Sequence, residues 1–115
     1  MSRKAKHYDP QLLRGNTDML ILRIIEEIGD VHGYGVIKAL KSRSNGYFDF
    51  KEGTVYPQLH RLEQRGYISG DWQKQDGGLN RRNYRITPKG VAVLHDRIEI
   101  WRNFSTAMDG IFGTA

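Results

Sequence analysis

The feature that most constrains the fold is a change of hydrophobic period at Gly66. Before it, apolar residues recur at helical spacing on one narrow stripe: Val55, Leu59 and Leu62. After it, two short segments, residues 67–72 and 83–86, alternate at strand spacing. A one-sided helix that leads directly into two short strands predicts a helix followed by a β-hairpin.

The hairpin is expected to turn one row of side chains inward, namely Ile68, Trp72, Tyr84 and Ile86, and to leave Arg85 outside. Residues 74–82, KQDGGLNRR, form a glycine-containing basic loop between the strands. The hairpin therefore has a positively charged tip.

Three helices are predicted before the hairpin. The first, Leu12 to Ile28, has apolar positions around most of its circumference and is expected to be buried on more than one side. The second runs from Gly33 to Arg43, and the third from Glu52 to Arg65. Pro57 is costly inside the third helix, so a start near Thr54 is expected, which would put the proline in the first turn.

The last predicted helix runs from Pro88, at the first helical position, to about Phe112, and Thr87 is its N-cap. It carries a heptad seam with one polar member: Val91, Leu94, Ile98, Trp101, Ser105, Met108 and Phe112. A helix of about 25 residues is roughly 37 Å long. This length exceeds the size of so small a domain, so we expect the seam to pack against a second subunit related by a two-fold axis. The alternative is that the seam packs only within its own subunit.

These elements define the fold class as mainly α with a small β-hairpin, a winged helix-turn-helix with a long C-terminal helix. The expected organisation is a flexible arm over residues 1–10, a DNA-binding domain over 11–87, and a dimerisation helix over 88–115.

Composition excludes several kinds of function. The chain has no cysteine, and its four histidines are scattered, so no metal or other cofactor is expected. No catalytic constellation is present, so the protein is not expected to be an enzyme. No segment resembles a signal peptide or a membrane span, which predicts a cytoplasmic protein without a membrane partner. The net charge of +5 fits an anionic partner such as double-stranded DNA.

The polar side of the third helix decides how that charge is interpreted. At 100° per residue, the side opposite the apolar stripe has no acidic residue: Gly53, Thr54, Pro57, His60, Arg61 and Gln64. Tyr56 lies on its flank. Such a face can enter the major groove of DNA, while the basic hairpin beside it reaches the DNA backbone or the adjacent minor groove. A solvated polar face is the alternative.

Two runs resemble the PadR family of bacterial transcriptional regulators: GTVYPQLHRLE over residues 53–63, with Gly66-Tyr67-Ile68 following, and RRNYRITPKG over residues 81–90. Residues 33–37, GYGVI, match as well, and the resemblance covers about residues 12–112. It implies a homodimeric repressor that binds a near-palindromic operator and dimerises through its first and last helices. The short C-terminal end resembles the compact subgroup with one final helix.

The predicted DNA-binding residues come from three elements: Tyr34, Lys38, Thr54, Tyr56, Pro57, His60, Arg61, Lys74, Arg81 and Arg82. Tyr34 and Lys38 are expected to contact phosphate, and so are the hairpin cations. Four alternatives stay open: Tyr34 as a core aromatic, Arg61 paired with Glu63 or Glu52, His60 as a polar surface residue only, and the hairpin cations as a solvated loop.

Trp101 lies in the middle of the seam, where multidrug-responsive members of the family stack flat aromatic ligands between subunits. The resemblance implies a small aromatic effector, with Ile98, Phe104 and Ser105 lining its cavity. Simple packing of Trp101 at the interface is the alternative. For the whole chain, the alternative function is a winged-helix module that binds protein and not DNA.

Overall fold

The computed structural model describes residues 10–13, 15–78 and 80–113. Five helices and three strands follow one another in this part of the chain: α1 Pro10–Leu13, α2 Thr17–Ile28, β1 Val31–His32, α3 Gly33–Arg43, α4 Glu52–Gln64, β2 Ile68–Lys74, β3 Asn80–Ile86 and α5 Pro88–Phe112. The helix-turn-helix is α3–α4, and the β2–β3 hairpin is the wing.

The predicted first helix is wrong in one respect, because it is two helices. Gly15 has a φ of +80°, which a continuous right-handed helix does not allow, and it separates α1 from α2. The Asn16 side chain donates to the carbonyl of Leu12 at 2.8 Å and closes the turn. Residues 1–9 of the predicted arm lie outside the described residues, and α1 begins at Pro10.

Helix α2 is the centre of the core, as its apolar circumference predicts. Its five buried side chains belong to more than one face: Met19, Ile21, Leu22, Ile24 and Ile25. The stripe of α4 packs against it, with Val55, Leu59 and Leu62 all 1% exposed or less.

Helix α4 begins at Glu52 and not near Thr54, so Pro57 lies inside the helix. Pro57 is exposed. The carbonyl of residue 53, which receives no helical hydrogen bond from the proline, is therefore open to water.

The sheet has three strands in the order β1-β3-β2, all antiparallel. The pattern did not predict β1, which is only two residues long and pairs with Tyr84 and Asn83 of β3. The strands of the wing are longer than predicted. Lys74, Arg81 and Arg82 therefore lie on strands instead of in the loop. Trp72 shares a face with Ile68 and Tyr84 but is 67% exposed, so its predicted burial is wrong.

Helix α5 has the predicted bounds and the predicted cap, in which the Thr87 side chain accepts from the Gly90 backbone N–H at 3.0 Å. Two polar contacts hold its first half on α2. Arg97 Nη1 donates to Asp18 Oδ2 at 2.7 Å, and His95 Nε2 lies 2.7 Å from Glu26 Oε2. Leu94 is fully buried beneath them.

The second half of α5 extends past the core. Its large apolar side chains are exposed: Ile100, Trp101, Phe104, Met108, Ile111 and Phe112. In the part of the chain that the structure describes, no helix is both long and apolar enough to cross a membrane.

Candidate nucleic-acid interface

The outward side of α4 is a continuous polar surface. All six residues of the predicted acid-free face are exposed, and so is Tyr56: Gly53, Thr54, Tyr56, Pro57, His60, Arg61 and Gln64. Among the ion pairs of the described residues, none contains Arg61. Its guanidinium is therefore not neutralised by Glu52 or Glu63, the alternative partners considered from the sequence.

Tyr34 and Lys38 lie together at the start of α3. Tyr34 is 52% exposed and is not a core aromatic, and the Lys38 ammonium lies 5.6 Å from the centre of its ring. Both line a groove of about 560 Å³ between α3 and the N-terminal end of α4. Its other charged residues are Lys41, which pairs with Asp49 at 3.9 Å, and Lys51 and Glu52. Three lysines against two carboxylates leave the groove slightly positive next to the polar face of α4.

Tyr56 fastens the beginning of α3 to α4. An ideal Cβ built on Gly33 would lie 2.4 Å from Tyr56 Cε1, so the ring occupies the space that a side chain at residue 33 would need. Burial, and then the nearby Glu52 carboxylate, raise the pKa of the Tyr56 hydroxyl above its ordinary value of 10. Tyr56 therefore stays a neutral hydrogen-bond donor at the edge of the interface.

The wing places two of its predicted cations at the surface. Lys74 and Arg81 are exposed, on β2 and β3 respectively. Arg81 also acts on His32 of β1, whose pKa is lowered below 6.5 by burial and then by the charges of Arg81 and Lys38. His32 therefore lies near a cation of the wing and a cation of α3, a position that no pattern in the sequence indicated.

Within the described part of the chain, Arg82 is the one predicted DNA-binding cation that forms an ion pair. Its Nε donates to Glu63 Oε1 at 3.3 Å, its Nη2 donates to Glu63 Oε2, and the Trp72 ring centre lies 5.3 Å from its Cζ. The hydrogen bond with Glu63 raises the pKa of Arg82. The pairing joins residues 19 positions apart, and its formation depends on the hairpin register, so no local pattern predicts it.

A second candidate site lies along α5, away from α4. A mostly apolar groove of about 850 Å³ runs between α5, the α1–α2 turn and the aromatic connector at Tyr47 and Phe48. Three of the four predicted ligand-binding residues line it: Trp101, Phe104 and Ser105. Ile98 packs against the hydrophobic core instead. In the described residues no cluster of three or more side chains is arranged to hold a metal ion.

Known proteins share this sequence pattern. The model of the transcriptional regulator PadR-like family matches residues 21–96. The negative transcriptional regulator PadR of Bacillus subtilis is 28% identical over 59% of this chain and 37% of its own length. A transcriptional regulator of Mycobacterium tuberculosis is 37% identical over 64% of this chain and 66% of its own length.

Solved structures share the fold. A PadR-like transcriptional regulator from Bacillus cereus is 28% identical, with a TM-score of 0.76, over 91% of this chain and 99% of that one. The structure of B. subtilis PadR in complex with operator DNA has a TM-score of 0.65 at 26% identity, and the match covers 70% of this chain and 46% of that one.

Proposed function

Because this chain belongs to the PadR-like family of transcriptional regulators, and is therefore a DNA-binding regulator and not an enzyme, we propose that it is a homodimeric repressor of a near-palindromic operator. In this proposal α4 is the reading helix, α3 and the wing hold the DNA backbone, and the protein acts in the cytoplasm. The two α4 helices of a dimer enter successive major grooves, roughly 34 Å apart.

The observation that carries the proposal is the exposed, acid-free side of α4 between two basic elements. Thr54, His60 and Arg61 present a hydroxyl, an imidazole and an unpaired guanidinium, groups that can hydrogen-bond to base edges. Pro57 offers an apolar contact on the same side, and Tyr56 offers a hydroxyl at the edge. We assign these residues to the bases and the nearest phosphates.

The cations at the two sides serve to position the protein on the DNA. Tyr34 and Lys38 approach one phosphate strand from α3, and Lys74 and Arg81 approach the other from the wing. Such contacts fix register and carry no sequence information. Arg82 belongs to this wing, but its charge is already paired, so its share in DNA binding differs from that of Arg81.

The second half of α5 supports the homodimer. Phe104 is 60% exposed and Phe112 is 73% exposed, and Leu12 of α1, which lines the same groove, is 71% exposed. A continuous apolar surface of this kind marks a protein contact. A second subunit, related by a two-fold axis, would cover this surface with its own α1 and α5.

The α5 groove supports a small aromatic effector. Trp101 is 47% exposed and lines an apolar space large enough for a drug-sized molecule. We propose that a flat aromatic compound stacks on Trp101 and shifts the spacing of the two reading helices, which releases the operator. If Trp101 only packs the dimer, aromatic compounds will leave its fluorescence and DNA binding unchanged.

The experiment that tests the proposed function selects sequences bound by the purified protein from a random double-stranded DNA pool at two salt concentrations. We expect enrichment of a palindrome and an affinity that falls steeply with salt, because phosphate contacts release counterions. Absence of binding even at low salt would contradict DNA recognition and favour the protein-interaction module.

A matched pair of variants assigns the recognition to α4. Arg61→Ala removes a cation from its exposed face, whereas Arg23→Ala removes one from α2, where Arg23 pairs with Glu26. The proposal predicts that the first variant binds the selected operator more weakly and relaxes the motif at the base that Arg61 contacts, and that the second keeps both motif and affinity. Equal motifs and equal affinities for both would contradict α4 as the reading helix.

A further inference from the structure

The Glu63–Arg82 ion pair connects the two elements that meet DNA. Glu63 belongs to α4, Arg82 to β3 of the wing, and both guanidinium nitrogens that face Glu63 donate to its carboxylate. The two side chains are 28% and 27% exposed, so the pair is partly shielded from water. Two-point bonds of this kind fix a relative orientation as well as a distance.

The surrounding residues are shaped to fit this pair. Arg82 crosses over Gly70 on β2, where a Cβ would lie 2.7 Å from Arg82 Nε, so any larger residue at position 70 would obstruct the guanidinium. Trp72, directly opposite Arg82 in the strand register, covers the guanidinium with its ring. Gly70, Trp72 and Glu63 therefore hold Arg82 in one conformation.

The position of Glu63 is otherwise unfavourable for a DNA-binding protein. A carboxylate at the edge of the reading helix repels phosphate, and it also neutralises a wing cation that would attract phosphate. Removing such an acid should tighten DNA binding if electrostatics alone decided. This cost is offset if the Glu63–Arg82 pair stabilises an arrangement of α4 and the wing that favours DNA binding.

We propose that Glu63 and Arg82 are positioning residues that brace the wing against the reading helix, so that Arg82 contributes to DNA affinity through Glu63 and not through phosphate. This inference rests on the proposed function, since it assumes that α4 and the wing bind DNA together. Without the pair, the hairpin is held by its core residues alone and swings relative to α4, and the contacts of Lys74 and Arg81 weaken.

The test compares Glu63→Gln with Glu52→Gln, in which the same charge is removed from the exposed beginning of the same helix. The brace predicts that Glu63→Gln weakens binding to the selected operator by about threefold to tenfold, and lowers the salt slope because fewer phosphates are held. Glu52→Gln is expected to bind as tightly as the wild type or more tightly.

A double-mutant cycle with Arg82→Gln separates the brace from a direct contact. If the two residues act as one unit, the double variant binds no worse than the weaker single variant. If Arg82 contacts phosphate itself, Glu63→Gln tightens binding by freeing it, and only Arg82→Gln lowers the salt slope. Thermal unfolding of each variant shows that the comparison is between folded proteins.

The two possible failures are distinguishable. A wild-type protein that selects no operator contradicts the proposed function before any variant is compared. A wild-type protein that binds a palindrome, with a Glu63→Gln variant that binds it equally well or better, overturns the brace and leaves the proposed function intact.

Discussion

The Tyr56 ring fills the space directly above Gly33, 2.4 Å from where a Cβ at residue 33 would be. This contact lies at the first residue of α3 and in the second turn of α4, so it sets how closely the two helices of the helix-turn-helix approach. Only glycine permits the approach, because a methyl group at residue 33 must displace the aromatic ring.

Gly33→Ala is therefore expected to weaken operator binding with little loss of stability. The clash involves the far end of a half-exposed side chain, which can move into solvent, and alanine is a better helix former than glycine. Affinity measured by anisotropy should fall in parallel with that of Tyr56→Ala. In a Tyr56→Ala background, Gly33→Ala should cause no further loss; an additional loss there would contradict the steric explanation.

Gly90 is a stability determinant of another kind. A Cβ at this position would lie 2.1 Å from the backbone oxygen of Tyr67, and backbone cannot rotate away. Gly90→Ala should lower the free energy of unfolding by about 1–3 kcal/mol, the usual range for overpacking. Gly110→Ala in the same helix faces open space and should raise it by up to about 1 kcal/mol. Chemical denaturation measures both, and changes of the same sign would contradict the assignment.

Local signals predicted most of the fold. The N-cap at Thr87 with Pro88, and the stripe of Val55, Leu59 and Leu62, each depend on residues within a few positions, and α4 and α5 are where these patterns place them. The break at Gly15 was missed because one glycine inside a long apolar pattern does not reveal its own φ. The strand β1 is two residues long, too short for any alternation.

Trp72 shows where a correct pattern fails. Period-two spacing places it on the inner face with Ile68 and Tyr84, and the register confirms that face. The core ends near Gly70, however, so the inner face continues into solvent, and Trp72 covers Arg82 there. Sequence spacing determines the face of a strand, but how far the core extends along it depends on tertiary packing. The same reason explains the missed Glu63–Arg82 pair.

His32 predicts a pH dependence of stability. Its folded pKa is lowered below 6.5 by burial and by Arg81 and Lys38, so the unfolded chain binds its proton more tightly. Stability should therefore rise with pH from the lowered pKa up to about 6.5 and be fully present above it. His32→Gln should remove this component. Denaturation curves between about pH 5 and 8 compare the two proteins, and identical pH profiles would contradict the assignment.

The exposed apolar side of α5 predicts that a charge there breaks the proposed dimer. Phe104→Glu places a carboxylate on the proposed interface and removes a large aromatic from each subunit, so the dimer dissociation constant should rise at least about a hundredfold. Asn103→Glu adds the same charge at an exposed position that does not line the α5 groove, and it should leave the proposed dimer intact. Sedimentation velocity distinguishes the two, and a dimeric Phe104→Glu protein would show that the interface lies elsewhere.

Arg61 separates reading of the sequence from simple attraction to DNA. Its guanidinium is exposed on α4 and outside every ion pair of the described residues, so it is free to bond a guanine edge in two places. Arg61→Ala should then cost about 1–3 kcal/mol on the selected operator and much less on an unrelated duplex. The measurement is a pair of titrations at one salt concentration, and each is repeated with Arg23→Ala as the control for lost charge. An equal loss on both duplexes would make Arg61 a phosphate contact and would shift the reading of bases to Thr54 and His60, the remaining polar side chains near the middle of the face.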